Sequence, residues 1–231
     1  MLERLQQLDN TVFLALNGSD SAFWDAYMWL VSSTLTWIPV FLMLLFIIAK
    51  NSNARRMVLI VVALALVILL ADRLSSGLLK PLFQRLRPTH TITFMHTIDT
   101  VFGYQGGRYG FVSSHAANTF SVFIFLSLLF RNRLMTFSLL CWAVLSSYSR
   151  VYLGVHYPGD ILCGAFLGLL VGVLVYFIYK ISSRYTDRER QYYSSAYTSS
   201  GFLISDIHLL AFTLVATYCV LFIIATFLAM R

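Results

Sequence analysis

The chain has 231 residues, of which 58% are hydrophobic and only 12% are charged, and its formal net charge is +7 at pH 7. A soluble domain normally carries about twice this density of charged residues, and several apolar runs reach the roughly 20 residues that are needed to cross a bilayer. The composition therefore predicts an integral membrane protein and excludes a soluble globular domain. The positive charge does not indicate nucleic-acid binding, because most basic residues lie in short loops between apolar runs, as membrane topology requires.

The first residues predict a short amphipathic helix that lies on a membrane surface. Apolar residues alternate there with polar ones at helical spacing, as is typical of such helices. These apolar residues are Leu2, Leu5, Leu8, Val12 and Phe13. Turn-forming residues at 17–21 end the helix.

Six apolar segments follow, and each predicts a membrane-spanning helix. Their approximate ranges are 23–49, 57–79, 116–130, 134–148, 158–179 and 209–229. In the fifth segment Gly164, Gly168 and Gly172 recur every four residues, a pattern that lets helices pack closely. No internal repeat is apparent, so we expect a single domain over residues 1–231. The predicted fold class is all-α, a polytopic membrane helical bundle of about six transmembrane helices plus the N-terminal amphipathic helix.

The basic loops predict how the bundle is oriented. If every predicted helix spans the membrane, the basic loops at 50–56, 131–133 and 180–190 lie on one side, which the positive-inside rule makes cytoplasmic. The polar interval 80–115, the connector 149–160 and both termini then share the opposite face. We therefore expect the polar clusters in these two segments to meet at one membrane surface.

The first cluster, at 80–88, carries Lys80 and Arg87. These cations are seven residues apart, so in a helical segment they would project from nearly the same side, two turns apart. Arginine offers a planar fork that matches phosphate oxygens, and lysine supplies a compact point charge. Taken alone, the cluster is as typical of membrane-edge cations that bind lipid head groups as it is of a phosphate site.

The second cluster, Ser113-Ser114-His115, directly precedes the third predicted helix. Helix N-termini present free backbone N–H groups and a partial positive charge, which together bind anions. The two serines add hydroxyl donors, although serines at this position are more often simple helix caps. His115 adds a group that can transfer a proton, and it favours the reading of a site over that of a cap.

The third cluster lies in the connector 149–160 and contains Arg150, His156 and Asp160. Ionisable groups at a membrane edge are costly, so their concentration here indicates a site. Arg150 can complete a cationic ring around phosphate. His156 can act as a nucleophile if Asp160, four residues further on, holds one of its ring nitrogens and fixes the tautomer.

The three clusters together resemble the signature of the type 2 phosphatidic acid phosphatases, which share a core with vanadium haloperoxidases. That signature is Lys-x6-Arg-Pro, then Pro-Ser-Gly-His, then Ser-Arg-x5-His-x3-Asp. The corresponding residues here are Lys80-x6-Arg87-Pro88, Val112-Ser113-Ser114-His115 and Ser149-Arg150-x5-His156-x3-Asp160. The first and third motifs match fully, and the second has Val112 for proline and Ser114 for glycine. The motif core covers residues 80–160.

The resemblance implies a role for each residue of the clusters. His156 would attack phosphorus and form a phosphohistidine, Asp160 would orient it, and His115 would protonate the leaving oxygen. The phosphate would be bound by Lys80, Arg87, Ser113, Ser114 and Arg150. We expect no metal and no other cofactor, because no carboxylate cluster is present to hold magnesium. Cys141, Cys163 and Cys219 lie in apolar segments and are expected to be packing residues.

We therefore expect a membrane lipid phosphatase whose partners are the bilayer and a phosphorylated lipid, with its active site on the periplasmic face of a bacterial inner membrane. Lipid A phosphates and undecaprenyl pyrophosphate are the favoured substrates, and phosphatidylglycerol phosphate and phosphatidic acid are alternatives. A haloperoxidase is a rival on the same fold. A non-catalytic lipid transporter or binding protein is a rival of another class. The oligomeric state is left open.

Overall fold

The computed structural model describes residues 2–92, 94, 97–184 and 195–230. In this part of the chain the architecture is all-helical, which confirms the predicted fold class. The α-helices are α1 (Leu2–Leu16), α2 (Ala22–Ser32), α3 (Ile38–Asn51), α4 (Ala54–Asp72), α5 (Lys80–Phe83), α6 (Ser114–Phe130), α7 (Arg133–Tyr152), α8 (Pro158–Arg184) and α9 (Ile204–Ala229). A π-helical segment, Arg73–Leu79, joins α4 to α5 without a break.

The protein is a multi-pass membrane protein. Within the described residues five helical stretches are long and apolar enough to cross a membrane, and α6 is a shorter apolar helix that stands among them. The five stretches are Thr34–Asn51, Ala54–Phe83, Arg133–Tyr152, Pro158–Ser183 and Ile204–Ala229. The predicted amphipathic helix is also present, as α1. Residues 185–194, which carry part of the predicted basic loop at 180–190, lie outside the described residues.

The first predicted span is not one continuous helix, as the sequence had suggested. A short 3₁₀ turn, Thr34–Trp37, separates α2 from α3. The Thr36 hydroxyl donates to the Leu30 carbonyl at 2.7 Å, and the Trp37 indole N–H donates to the Val31 carbonyl at 3.0 Å. These side chains occupy carbonyls that a continuing helix would use, so the chain turns at Ser33.

Helix α6 lies at the centre of the bundle and packs against α4, α7 and α8. The glycines of α8 allow its backbone to approach α6 closely, as their spacing predicted. A Cβ atom at Gly168 would lie 2.3 Å from the carbonyl oxygen of Ala117, and one at Gly164 would lie 2.5 Å from that of Ser113. The N-terminal ends of α6 and α8 are therefore held side by side.

The two ends of the bundle differ in chemistry. At one end Lys50 forms an ion pair with Asp206 at 2.7 Å, and the Arg56 guanidinium donates to the carbonyl of Ser200 at 2.6 Å. Helix α1 lies at the other end, where it contacts α7 and α8. Its Phe13 is fully buried against Tyr157, with ring centroids 5.3 Å apart.

The close approach of α6 and α8 gives a test of the packing. We expect Gly168→Ala to destabilise the purified protein by about 1 to 3 kcal/mol, because the added methyl group overpacks a backbone contact. The measurement is the midpoint of thermal unfolding in detergent. Gly77→Ala is the matched control, since a Cβ atom at that helical glycine meets nothing within 4 Å. Equal midpoints for the two variants would contradict the predicted contact.

Candidate active site

All eight residues predicted for the site lie at the end of the bundle that carries α1. They come from the start of α5, the loop after it, the N-termini of α6 and α8, the end of α7 and the connector between α7 and α8. The charges of Arg87, Arg150 and Lys80 all act on His156. The expectation that the three clusters meet therefore agrees with the geometry.

Lys80 and Ser114 are in direct contact. The Lys80 ammonium group donates to the Ser114 hydroxyl oxygen at 2.8 Å, and the Ser76 hydroxyl lies 2.7 Å from the same oxygen. Ser114 stands where the family signature has glycine, and its added hydroxyl orients the lysine. Sequence reasoning did not identify Ser76, which lies in the π-helical segment one turn before Lys80.

Arg87 reaches the site by a different route from the one the sequence suggested. It does not share a helix with Lys80, because Gln84 adopts a left-handed conformation with φ of 47° and ends α5. Arg87 itself is extended, with φ of −70° and ψ of 158°, as expected for a residue that precedes proline. The prediction that Lys80 and Arg87 project from one helix face is therefore wrong.

The buried Arg87 side chain ties two loops together at the site. Its Nε donates to the carbonyl of Tyr109 at 3.2 Å, and its Nη1 donates to the carbonyl of Val155, next to His156, also at 3.2 Å. Burial, followed by the charge of Arg150, lowers the pKa of Arg87 from its usual value. A Cβ atom at Gly106 would lie 2.7 Å from Nη1, so the loop needs a glycine there.

Arg150 approaches from the end of α7. Its Nη1 donates to the hydroxyl of Ser32, the residue at which α2 ends, and its Nη2 donates to the hydroxyl of Tyr104 at 3.3 Å. Its Nε is buried and has no hydrogen-bond partner among the described residues. Because buried donors normally have partners, this N–H is a candidate contact for a bound anion.

Ser113 caps α6 and joins it to α8. Its hydroxyl oxygen accepts the Ala116 N–H at 3.4 Å, and its own backbone N–H donates to the Asp160 carbonyl at 3.0 Å. The capping interaction uses the oxygen as an acceptor, so the hydroxyl proton can still be donated to a ligand. The reading as a cap and the reading as an anion contact are therefore compatible.

His156 and Asp160 form a buried pair. The His156 Nδ1 atom lies 3.4 Å from Asp160 Oδ2, which also accepts the backbone N–H of Tyr157 at 3.1 Å. Burial and then the charges of Arg87, Arg150 and Lys80 hold the pKa of His156 well below its usual value. The imidazole is therefore neutral at physiological pH, which is the form that has a lone pair for attack.

His115 stands near this pair on the first turn of α6. Its Nε2 atom lies 3.0 Å from the hydroxyl oxygen of Ser146 on α7. The charges of Arg150 and His156 both act on it. The site thus holds a second imidazole that a side chain keeps in a fixed orientation.

Sequence reasoning missed Arg85. Its Nη1 lies 2.8 Å from Asp160 Oδ1, and its Nη2 lies 2.6 Å from Oδ2 of Asp9 on α1. Arg85 belongs to the first cluster, but its partners are 75 and 76 residues away in the sequence. The sequence offered only a general signal, namely that a buried Asp160 would need a cation.

The donor set at this end is suited to an anion. Among the described residues no group of three or more His, Cys, Asp or Glu side chains is placed to hold a metal ion. The three cysteines are unpaired, and none of them lies in such a group. Three cations, two hydroxyls and the N-terminus of α6 face a neutral histidine instead, an arrangement that can bind a phosphate group and present it to a nucleophile.

Comparison with known proteins agrees with this chemistry. Residues 56–184 match the family model described as PAP2 superfamily. The chain is 40% identical to a lipid A 4'-phosphatase of Bacteroides thetaiotaomicron, over 80% of this chain and 83% of the relative. It is 38% identical to a lipid A 4'-phosphatase of Porphyromonas gingivalis, over 77% of this chain and 75% of the relative.

A crystal structure of LpxE from Aquifex aeolicus has the same fold. The two structures superpose with a TM-score of 0.55 at 24% sequence identity, and the match covers 73% of this chain and 94% of the other. The family match includes the three motifs and five of the helices that surround them. This protein is therefore a member of the PAP2 superfamily, as the resemblance of its motifs implied.

Proposed function

We propose that this protein hydrolyses the phosphate monoester at the 4' position of lipid A through a phosphohistidine intermediate. The observation that carries the chemistry is the neutral, buried His156 at the meeting point of Lys80, Arg87 and Arg150. The choice of lipid rests on the two relatives that are named lipid A 4'-phosphatases. Undecaprenyl pyrophosphate is the second candidate, and phosphatidylglycerol phosphate and phosphatidic acid come after it.

The first half of the reaction transfers the phosphoryl group to the enzyme. Lys80, Arg87 and Arg150, with the hydroxyls of Ser113 and Ser114 and the backbone N–H of Ser114, hold the phosphate oxygens and the charge that develops on them in the transition state. The Nε2 atom of His156 attacks phosphorus while Asp160 holds Nδ1. The P–O bond to the lipid breaks, and His115, whose protonated form is favoured by the negative charge of the bound phosphate, gives its proton to the leaving oxygen.

The second half regenerates the enzyme. His115, now neutral, takes a proton from a water molecule as that water attacks the phosphorus of the phosphohistidine. The P–N bond breaks, its electron pair returns to His156, and inorganic phosphate leaves. Microscopic reversibility gives the same group the role of acid in the first half and base in the second.

The site has features suited to a lipid substrate. A groove of about 790 Å³ borders it, and most of the groove wall is apolar. The apolar lining includes Leu5 and Leu8 of α1, Phe83 of α5, Phe111, and Leu162 of α8. The groove is also lined by Arg85, which contacts Asp160, so its apolar wall adjoins the site and is suited to the apolar part of an amphiphilic substrate.

We place the active site on the periplasmic face of the inner membrane. The basic residues Lys50 at the end of α3, Arg56 at the start of α4 and Arg131 between α6 and α7 lie at the end of the bundle opposite to the site. The positive-inside rule assigns basic residues at such helix ends and loops to the cytoplasm. The proposal requires only the bilayer and a phosphorylated lipid as partners.

Loss of the nucleophile tests the proposed chemistry. We expect His156→Ala to lower kcat by at least about a thousandfold, because removal of the attacking group abolishes the covalent route. Wild-type enzyme quenched in acid-free detergent after brief exposure to ³²P-labelled substrate should carry label on His156. His208→Ala is the control, because His208 is exposed on α9 at the opposite end of the bundle. Full activity in His156→Ala would contradict the assignment.

Substrate choice is tested by phosphate release from four lipids in EDTA, which also tests the expectation that no metal is needed. We expect kcat/KM to be highest for bisphosphorylated lipid A and mass spectrometry to locate the loss at the 4' position. A higher value for undecaprenyl pyrophosphate would favour the second candidate. Vanadate-dependent halide oxidation would favour a haloperoxidase. Binding of all four lipids without phosphate release would favour the transporter or binding protein.

The protonation state of His156 can be measured directly. Because its folded-state pKa is lowered, the imidazole should stay neutral as pH falls through 6.5 and should take up a proton only at lower pH. An ordinary histidine changes charge near pH 6.5. With ¹³C label at Cε1, the His156 signal, assigned with His156→Asn, should not move between pH 7.5 and 6. A midpoint above pH 6.5 would contradict the lowered pKa.

A further inference from the structure

Two charged residues that the reaction above does not use, Asp9 and Arg85, connect α1 to the His156–Asp160 pair. Asp9 of α1 contacts Arg85 at 2.6 Å, Arg85 contacts Asp160 at 2.8 Å, and Asp160 lies against His156. The Asp160 side chain is fully buried, and those of Asp9 and Arg85 are 13% and 27% exposed. These contacts are largely shielded from water, so their charges act strongly on one another.

Asp160 needs a cation other than His156. A buried carboxylate without a partner is very costly, and the neutral imidazole of His156 supplies no charge to balance it. Arg85 supplies that charge through Oδ1. Oδ2 is thereby left for the N–H of Tyr157 and for Nδ1 of His156.

Arg85 is in turn fixed by more than Asp160. Its guanidinium carbon lies 4.2 Å from the ring centroid of Tyr157, and its Nη2 donates to Oδ2 of Asp9. Burial acts to lower the pKa of Arg85, but the charges of Asp160 and Asp9 outweigh it and raise that pKa above its usual value. The guanidinium group is therefore firmly charged and is held from three sides.

Asp9 also holds the helix that carries Asp160. Its Oδ1 accepts the backbone N–H of Gly159 at 2.7 Å, so it satisfies one of the free donors at the start of α8. A Cβ atom at Gly159 would lie 2.9 Å from Asp9 Oδ2. One carboxylate of α1 thus fixes both the cation beside Asp160 and the first turn in which Asp160 lies.

The charges of Asp9, Arg85 and Asp160 have a consequence for the reaction. Arg85 and Asp160 alone sum to zero, whereas Asp9, Arg85 and Asp160 together sum to −1. His156 gains positive charge when it bonds to phosphorus, and three cations nearby oppose that change. The extra negative charge from Asp9 favours it, because a net negative group next to Nδ1 stabilises the charged imidazole.

We propose that Asp9 and Arg85 are positioning residues, which orient the Asp160 carboxylate and supply the net negative charge that stabilises His156 as it is phosphorylated. Helix α1, which is a surface helix, thus also contributes a carboxylate to the active site. This inference rests on the proposed role of His156 as nucleophile. The alternative is that Asp9 only anchors α1 to α8.

Asp9→Asn separates the two roles, because asparagine keeps an acceptor for Gly159 and removes the charge. We expect kcat and the single-turnover rate of phosphohistidine formation to fall about tenfold to a hundredfold, the usual scale for a misplaced catalytic group. KM and the inhibition constant of inorganic phosphate should change less than about threefold, since Lys80, Arg87 and Arg150 are untouched. Asp9→Glu restores the charge and should recover most of the lost rate.

Arg85→Lys is the second variant, because lysine keeps a positive charge but cannot reach both carboxylates with a rigid fork. It should also lower the rate of phosphohistidine formation. Asp206→Asn is the matched control, because it removes a carboxylate that pairs with Lys50 and with Asn51 at the far end of the bundle. It should lower the thermal midpoint and leave the rate of phosphohistidine formation unchanged.

The outcomes distinguish this inference from the function on which it rests. An unchanged kcat in Asp9→Asn would overturn the positioning role. A rate loss that Asp9→Glu does not recover, and that parallels a fall in the midpoint of thermal unfolding, would also overturn it. Failure of the wild-type enzyme to form a phosphohistidine would overturn the proposed function itself. A rate loss in Asp9→Asn with rescue by Asp9→Glu would support the inference.

Discussion

The structure depends on holding three cationic side chains at one end of a membrane bundle without pairing them with carboxylates. Lys80, Arg87 and Arg150 converge on His156, and none of these three cations has a carboxylate within ion-pair distance in the described part of the chain. Their donors go to uncharged acceptors instead, namely the Ser114 hydroxyl, two backbone carbonyls, and the hydroxyls of Ser32 and Tyr104. Uncharged acceptors fix the direction of each cation and leave its charge for a phosphate group. Arg85 differs from these three, because two carboxylates balance it and give it a local role.

Close packing of α6 and α8 makes this concentration of charge possible. The glycines of α8 bring the two N-termini together, and the Ser113 N–H is bonded directly to the Asp160 carbonyl. The N-terminus of α6 carries Ser113, Ser114 and His115, and that of α8 carries Asp160. The distance between these helices therefore sets the distance between His115 and the carboxylate that contacts His156. Substitutions at Gly164 or Gly168 would therefore act on catalysis as well as on stability, although neither residue lies in the site.

Much of this arrangement could be predicted from the sequence, because spanning helices and motif spacing are local signals. The apolar runs predicted the helical bundle, and the spacing of His156 and Asp160 predicted that their side chains are in contact. Predictions failed where a local pattern had two readings. The interval from Lys80 to Arg87 fits two helical turns, but Gln84 ends the helix between them, and Arg87, which precedes a proline, is extended. The break at Ser33 depends on side chains that bond to carbonyls of the preceding helix, which apolar periodicity does not reveal.

The role proposed for Asp9 and Arg85 could not be predicted from the sequence, because it depends on a contact between residues that are 76 positions apart. In the sequence Asp9 is only a polar residue of an amphipathic helix, and its neighbours Leu5, Leu8 and Val12 remain exposed in the structure. A surface helix of this kind binds the membrane through such apolar residues. Asp9 lies one helical turn from Leu5 and from Val12, lines the same groove and contacts Arg85. The same helix therefore carries exposed apolar side chains and the carboxylate that contacts Arg85. Asp9 contacts both Arg85 and the first turn of α8, so the position of α1 on the bundle is coupled to the orientation of Asp160 beside His156.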